Sequence, residues 1–137
     1  MTAAKFAVVA STRDVVDTYL DAWKTKNADA IAACVHPDVH FTGPMTELRG
    51  RDAFVEGARK MFPLLQEYRV RAVLTNGDQA VCVYDFVCRE PVGVSRTAEL
   101  ITLKDGRVAS SEIFFDARPF EKLIGTQKPP STSAEKP

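Results

Sequence analysis

The chain has 137 residues, enough for one domain with one hydrophobic core. Hydrophobic residues make up 45% of the sequence and charged residues 26%, which is an ordinary composition for a globular protein. Eighteen basic and eighteen acidic residues give a formal net charge of zero, which argues against a nucleic-acid-binding surface. No segment approaches the roughly 18 apolar residues of a membrane span, and "FAVVA" is too short for a secretion signal. Three cysteines without CxxC spacing indicate free thiols and a cytoplasmic protein.

The first half of the chain predicts three helices and one short strand. The first helix starts at Ser11 or Thr12 and carries an apolar stripe formed by Val15, Val16, Tyr19, Leu20 and Trp23. Asn27 caps a second short helix, which Pro37 should end. The alternating segment "DVHFT" indicates a strand, and "GRDAFVEGARKMF" indicates the third helix.

The second half predicts four strands in two hairpins. Asn76-Gly77 and Asp105-Gly106 are strong hairpin-turn sequences between strand-like segments, and "ARPFEKLI" suggests one closing helical turn. Because the helices come mostly in the first half of the chain and the strands mostly in the second, the sequence predicts an α+β fold. A curved antiparallel sheet should wrap around three N-terminal helices, with a conical cavity between the sheet and the helices. The domain should span residues 11–124, with an N-terminal arm at 1–10 and a disordered tail at 125–137.

Three segments of this chain resemble the SnoaL-like and ketosteroid-isomerase-like branch of the nuclear-transport-factor-2-like superfamily. They are "VVDTYLDAWKTKNADAIAACVHPDVHFTGP", "LRGRDAFVEGARKMF" and "LKDGRVASSEIFFD", within residues 12 to 120. The resemblance implies the cone fold. It implies no single activity, because such cones serve isomerases, cyclases, dehydratases, epoxide hydrolases and non-enzymatic binders.

The resemblance also assigns residues to expected roles. Tyr19 falls where ketosteroid isomerases place an oxyanion-hole tyrosine, and Glu99 falls where they place a protonated acid. Their aspartate base on the first strand is replaced by Thr42 or Gly43, neither of which accepts a proton at neutral pH. Ile113 stands where epoxide hydrolases of this fold need an aspartate.

Two carboxylates in apolar strands are candidates for proton transfer. Asp85 shares a predicted strand face with three valines, where desolvation would raise its pKa. The alternative is a structural ion pair of Asp85 with Arg71 or Arg96. Glu99 shares a predicted strand face with Thr97 and Ile101, and the resemblance implies that this face lines the cavity; an exposed strand glutamate is the alternative.

Both histidines lie in "HPDVHFTGP", four residues apart. Pro37 makes this segment extended, and four strand residues span about 13 Å, so one metal ion cannot bridge His36 and His40. No metal site is therefore predicted. His40 shares a strand face with Thr42 and is a candidate base on the cavity wall, with a hydrogen-bonded wall or rim residue as the alternative.

The remaining candidates are expected to bind a ligand in the cavity. Tyr19 and Trp23 lie one helical turn apart, so they either pack in the core or offer a phenol donor and an indole for stacking. The other expected lining residues are Thr42, Phe54, Phe62, Glu112 and Phe114.

Two functions fit these residues, and neither requires a cofactor. One is proton transfer of the isomerase, cyclase or dehydratase type on a small apolar carbonyl compound. In that case Asp85, Glu99 or His40 would move the proton, and Tyr19 would bind the oxyanion. The other is non-catalytic binding of a hydrophobic small molecule. A homodimer is compatible with both, through an outer sheet face formed by Cys82, Tyr84, Phe86 and Cys88.

Overall fold

The computed structural model describes residues 10–125, so the expected N-terminal arm and C-terminal tail lie outside the described residues except for residues 10 and 125. Side chains cap the first two helices, as predicted: the Ser11 hydroxyl accepts from the Asp14 amide at 3.0 Å, and the Asn27 side chain accepts from the Ala30 amide at 3.0 Å. The helices are α1 (Thr12–Lys24), α2 (Ala28–Cys34), α3 (Arg51–Met61) and α4 (Arg118–Gly125).

Six strands form one curved, unclosed sheet against the helices, which confirms the α+β class. The sheet order is β2-β1-β6-β5-β4-β3, and every neighbouring pair is antiparallel except β1 and β6. Strands β3 to β6 form an antiparallel meander, and its last strand, β6, pairs in parallel with β1. The strands are β1 (Val35–Thr42), β2 (Glu47–Arg49), β3 (Leu65–Asn76), β4 (Gln79–Cys88), β5 (Val94–Lys104) and β6 (Arg107–Phe114).

Turn chemistry sets the hairpin between β5 and β6. Asp105 and Gly106 both have positive φ, 56° and 72°, as a two-residue turn between twisted strands requires. The β3–β4 turn falls at Gly77 and Asp78, one residue later than predicted, because Asn76 still pairs with Gln79.

The helix end before Pro37 differs from the prediction. Helix α2 stops at Cys34, and Val35 is already extended, with φ −107° and ψ 147°. A proline disfavours the helical conformation at the residue before it. Here that residue is His36, which already lies in strand β1, so Pro37 does not itself end the helix. Strand β2 is too short to leave an alternating pattern, and the sequence did not predict it.

The inner face of the sheet is the one that carries the aromatic residues of β4. Cys82, Tyr84 and Cys88 are buried, whereas Val81 is 38% exposed. The prediction that Cys82, Tyr84, Phe86 and Cys88 form the outer face is therefore wrong. Strand β4 is apolar on both faces, so its sequence has no polar contrast to show which face meets the helices. No helix in the described range is long and apolar enough to cross a membrane.

Candidate functional site

A cavity of about 470 Å³ lies between the helices and the inner face of the sheet. This volume is in the range of small-molecule sites. Aromatic side chains from helices, strands and the β6–α4 connection form much of its wall: Tyr19, Trp23, Phe41, Phe54, Tyr68, Tyr84, Phe86, Phe115 and Phe120. The cavity can therefore hold a compact and largely apolar molecule.

One carboxylate, Glu99, interrupts this apolar wall, and three hydroxyls bind it. Tyr19 donates to Oε2 at 2.9 Å and Ser111 donates to the same oxygen at 2.6 Å. Tyr84 donates to Oε1 at 2.8 Å. Glu99 is 2% exposed, so these bonds replace the water that a carboxylate normally keeps.

Strand pairing and helix packing bring these four groups together. On β5, Glu99 pairs with Cys82 of β4 on one side and with Ile113 of β6 on the other, so all three share the inner face. Tyr19 reaches the site from α1, where it is held on the buried stripe and stacks on Phe54 with ring centroids 6.4 Å apart. The site is thus built on rigid elements.

Burial dominates the electrostatics of the cluster. It raises the pKa of Glu99, while the hydrogen bonds from Ser111, Tyr84 and Tyr19 offset part of that rise. Burial, followed by the negative charge of Glu99, also raises the pKa of Tyr19 and of Tyr84 well above the ordinary value. Both tyrosines therefore remain protonated donors, and Glu99 is the group whose protonation can change.

Two further donors belong to the same wall. The indole N–H of Trp23 and the hydroxyl of Tyr68 are buried, and neither completes a hydrogen bond within the described part of the chain. Trp23 is held by Tyr68, stacked at 6.2 Å, and by Phe62, edge-on at 5.7 Å. Tyr68 stacks in turn on Tyr84 at 4.5 Å.

Of the residues that the sequence singled out for the cavity, the structure places Tyr19, Trp23, Phe54 and Glu99 on its wall. The residues that line the cavity do not include Phe62, whose ring forms a T-shaped contact with Trp23 at 5.7 Å. The placement of Phe62 in the lining is thus corrected.

Asp85 does not face the cavity, and this prediction is corrected. Tyr84 and Phe86 point inward, so the alternation of β4 turns Asp85 outward. There its carboxylate lies 3.5 Å from Nη1 of Arg71 on β3. The structural ion pair, the alternative that the sequence left open, is the arrangement present.

His40 and Thr42 also point away from the cavity, because Val39 and Phe41 occupy the inward positions of β1. His40 Nε2 lies 2.5 Å from a carboxylate oxygen of Glu47, which also accepts from Arg49 at 2.9 Å. The expected placement of His40 and Thr42 on the cavity wall is therefore corrected, and His40 belongs to an exposed polar cluster between β1 and β2.

Glu112 and Phe114 likewise lie on the outer face, and Phe114 is 52% exposed. A bulge between Thr102 and Leu103 shifts the β5–β6 register by one residue. Counting from the turn without this bulge pairs Glu112 with Glu99, whereas the true partner of Glu99 is Ile113. The expected lining role of Glu112 and Phe114 is corrected for this reason.

The sequence missed three hydroxyls of the site: Tyr68, Tyr84 and Ser111. Tyr84 was assigned to the wrong face of β4. Ser111 depends on the same bulge, since it pairs with the buried Ile101 only after the shift. The pairing of Tyr68 with Phe86 across β3 and β4 was a usable signal once the inner face of β4 was known.

In the described part of the chain, the cysteine thiols are not activated as nucleophiles, because burial raises their pKa values. All three cysteines are free and buried, and burial raises the pKa of Cys82 to about 12 and that of Cys88 to about 11. Within residues 10–125, no group of three or more His, Cys, Asp or Glu side chains is arranged to hold a metal ion.

Solved structures show the same fold. An NTF2-like protein of unknown function from Cytophaga hutchinsonii is 24% identical, with 82% of this chain and 96% of that chain covered and a TM-score of 0.73. A protein of Kribbella flavida, provisionally assigned as a ketosteroid isomerase, is 19% identical over 77% of each chain, with a TM-score of 0.70. A protein of Sinorhizobium meliloti, provisionally assigned as a polyketide cyclase, is 22% identical over 76% of this chain and 99% of that chain, with a TM-score of 0.67.

The family follows from the sequence itself. None of the curated proteins compared matches the chain. The family model described as the SnoaL-like domain matches residues 16–111, which is more than half of the chain and includes α2, α3 and the strands from β1 through β5. This chain therefore belongs to the SnoaL-like domain family, as its resemblance to the NTF2-like fold predicted.

Proposed function

We propose that the chain is a cofactor-independent enzyme that moves a proton on a small, mostly apolar carbonyl compound, with Glu99 taking and returning the proton. The observation that carries this proposal is the position of Glu99: among the described residues it is the carboxylate on the cavity wall. Burial raises its pKa, which brings a carboxylate closer to the range of an effective general base at neutral pH.

The hydrogen bonds of Glu99 leave room for this step. An ionised carboxylate has about four lone-pair positions, and the three hydroxyls fill two on Oε2 and one on Oε1. Oε1 can therefore accept a proton from the carbon beside the carbonyl. The C–H bond breaks, its electron pair moves toward the carbonyl oxygen as an enolate forms, and return of the proton to carbon completes the reaction.

The test is solvent deuterium exchange into carvone, a cyclic enone small enough for the cavity. In D₂O, the full-length protein should accelerate exchange of the hydrogens beside the carbonyl, followed by proton NMR. Exchange no faster than in buffer, with carvone bound, would contradict the proposal and leave a binding protein.

A non-catalytic binder is the second candidate, and two observations favour it. Three hydroxyls already bind Glu99, and the first strand, β1, directs neither His40 nor Thr42 into the cavity. Under this alternative the Glu99 cluster is a polar anchor in the wall. Carvone would then quench or shift the fluorescence of Trp23, the single tryptophan, without any deuterium exchange.

A homodimer through the outer sheet face is the assembly that we propose for the whole chain. Val81, Val94 and Phe114 are exposed there, and the strand register places Val94 beside Val87 and Phe114 beside Ala98. Exposed apolar side chains on one sheet face favour association with a second copy. Sedimentation at micromolar concentration should show a dimer that Phe114→Lys converts to monomer; a wild-type monomer would contradict it.

A further inference from the structure

The cavity wall contains two hydrogen-bond donors that no acceptor among residues 10–125 satisfies. The hydroxyl of Tyr68 belongs to a side chain that is 6% exposed, and the indole N–H of Trp23 is buried beside it. Leaving a buried donor without an acceptor is unfavourable, so such groups in native proteins usually have a partner. Both side chains line the cavity, where a bound molecule can supply that partner.

Both donors lie next to the Glu99 cluster. Trp23 lies one helical turn after Tyr19 on α1. The ring of Tyr68 stacks on the ring of Tyr84 with centroids 4.5 Å apart. Tyr19 and Tyr84 donate their own protons to Glu99, so the two unsatisfied donors flank the group proposed to move the proton.

Ring packing holds both donors in position. Trp23 and Tyr68 stack at 6.2 Å with an interplanar angle of 13°, and Tyr68 and Tyr84 stack at 4.5 Å with an angle of 24°. Phe86 packs edge-on against both Trp23 and Tyr68. A donor fixed in this way does not have to be ordered when the ligand binds, which favours selective recognition.

We infer that Trp23 and Tyr68 form a two-donor site for a neutral oxygen acceptor of the ligand, so that the cavity selects ketones and related carbonyl compounds over hydrocarbons of the same shape. A carboxylate does not suit this place, because a second negative charge would be buried in an apolar wall beside Glu99. The inference rests on the proposed function in one respect: a ligand must bind in the cavity, whether or not it reacts there. It assigns the carbonyl oxygen to Trp23 and Tyr68, since Tyr19 is bonded to Glu99.

The experiment compares two ligands of similar shape, carvone and limonene, which differ mainly in the carbonyl oxygen. Their dissociation constants are measured by ligand-observed NMR titration with the wild-type chain, Tyr68→Phe and Trp23→Phe. In Tyr68→Phe, the affinity for carvone should fall about tenfold relative to that for limonene, the typical effect of losing one buried hydrogen bond. Trp23→Phe should shift the ratio in the same direction.

The control variant is Phe41→Leu, which alters the shape of the cavity wall without removing a donor, at a ring that packs against Phe54 rather than against Trp23 or Tyr68. It should change both affinities by similar factors. An unchanged ratio in Tyr68→Phe and Trp23→Phe, equal losses for both ligands, or failure of the wild-type chain to bind carvone would each overturn the inference. Water bound at Tyr68 in place of a ligand oxygen would also leave the ratio unchanged.

These outcomes separate the inference from the proposed function. A ratio that shifts as expected, in a protein that does not accelerate deuterium exchange, would keep the donor site and reject catalysis. Exchange without any shift in the ratio would keep catalysis and reject the donor site.

Discussion

Replacing Glu99 with glutamine should slow deuterium exchange into carvone by at least about 100-fold, because general acid–base groups contribute roughly 10² to 10⁴ to rates. Glutamine keeps the length of the side chain and one acceptor oxygen for the hydroxyls of Tyr19, Tyr84 and Ser111. It has no carboxylate to take a proton from carbon. The rate at saturating carvone, measured by NMR in D₂O, reports this loss directly.

Glu112→Gln is the matched control for this prediction. Glu112 lies on β6, the strand next to Glu99, but on the exposed outer face. The same chemical change there should leave the exchange rate within about twofold of wild type, as expected for a surface position away from the site. Unchanged limonene binding by Glu99→Gln would show that its cavity is intact; full exchange activity in that variant would reject Glu99 as the base.

The pattern along the chain predicted the fold because its local signals agree with one another. The caps at Ser11 and Asn27 and the turn at Asp105-Gly106 each need particular residues for reasons of local geometry, and the structure uses all of them. Such signals depend on neighbours within a few residues. They remain valid whatever the rest of the chain does.

The site was less predictable because it depends on which face of each strand turns inward. Strand β5 buries Thr97 and Glu99, and the resemblance to ketosteroid isomerases, rather than a polarity pattern of the strand, indicated that face. Strand β4 is apolar on both faces, and Asp85 stood out there only because its surroundings were apolar. Its actual partner, Arg71, comes from β3 and lies where the register with β4 shifts between Val70 and Ala72, which the sequence of β4 cannot reveal.

A single bulge accounts for the remaining errors on β6. One extra residue in one strand of a pair reverses, from that point on, which of its side chains point inward and which point outward. Here it brings Ser111 to Glu99 and turns Glu112 and Phe114 outward. Nothing in "RVASSEIFF" marks the bulge, so the third hydroxyl of the cluster could be found only from the three-dimensional pairing.

Glu99 should also matter for stability, and the size of the effect should depend on what replaces it. Glu99→Ala removes the acceptor of three buried hydroxyls and leaves a cavity, so the free energy of unfolding should fall by about 3 kcal/mol. Glu99→Gln retains an acceptor and should lose less than about 1 kcal/mol. Urea denaturation at pH 5 measures both, and equal losses in the two variants would show that the hydroxyls do not depend on this acceptor.

The pH dependence of stability tests the state of Glu99 in the folded chain. Because burial raises its pKa above the ordinary 4.5, the native state keeps a proton at pH values where the unfolded chain has released it. The stability from Glu99 is thus fully present below pH 4.5 and is lost as the pH rises through the folded pKa. Wild type should lose stability relative to Glu99→Gln over that range.

Asp116 and Glu47, whose pKa values are lowered by hydrogen bonds from Arg118 and from His40, have the opposite dependence but are common to both proteins. A difference that grows with pH in favour of wild type would mean that the three hydroxyls hold Glu99 as a carboxylate at every pH, and the site would then be an anchor rather than a base.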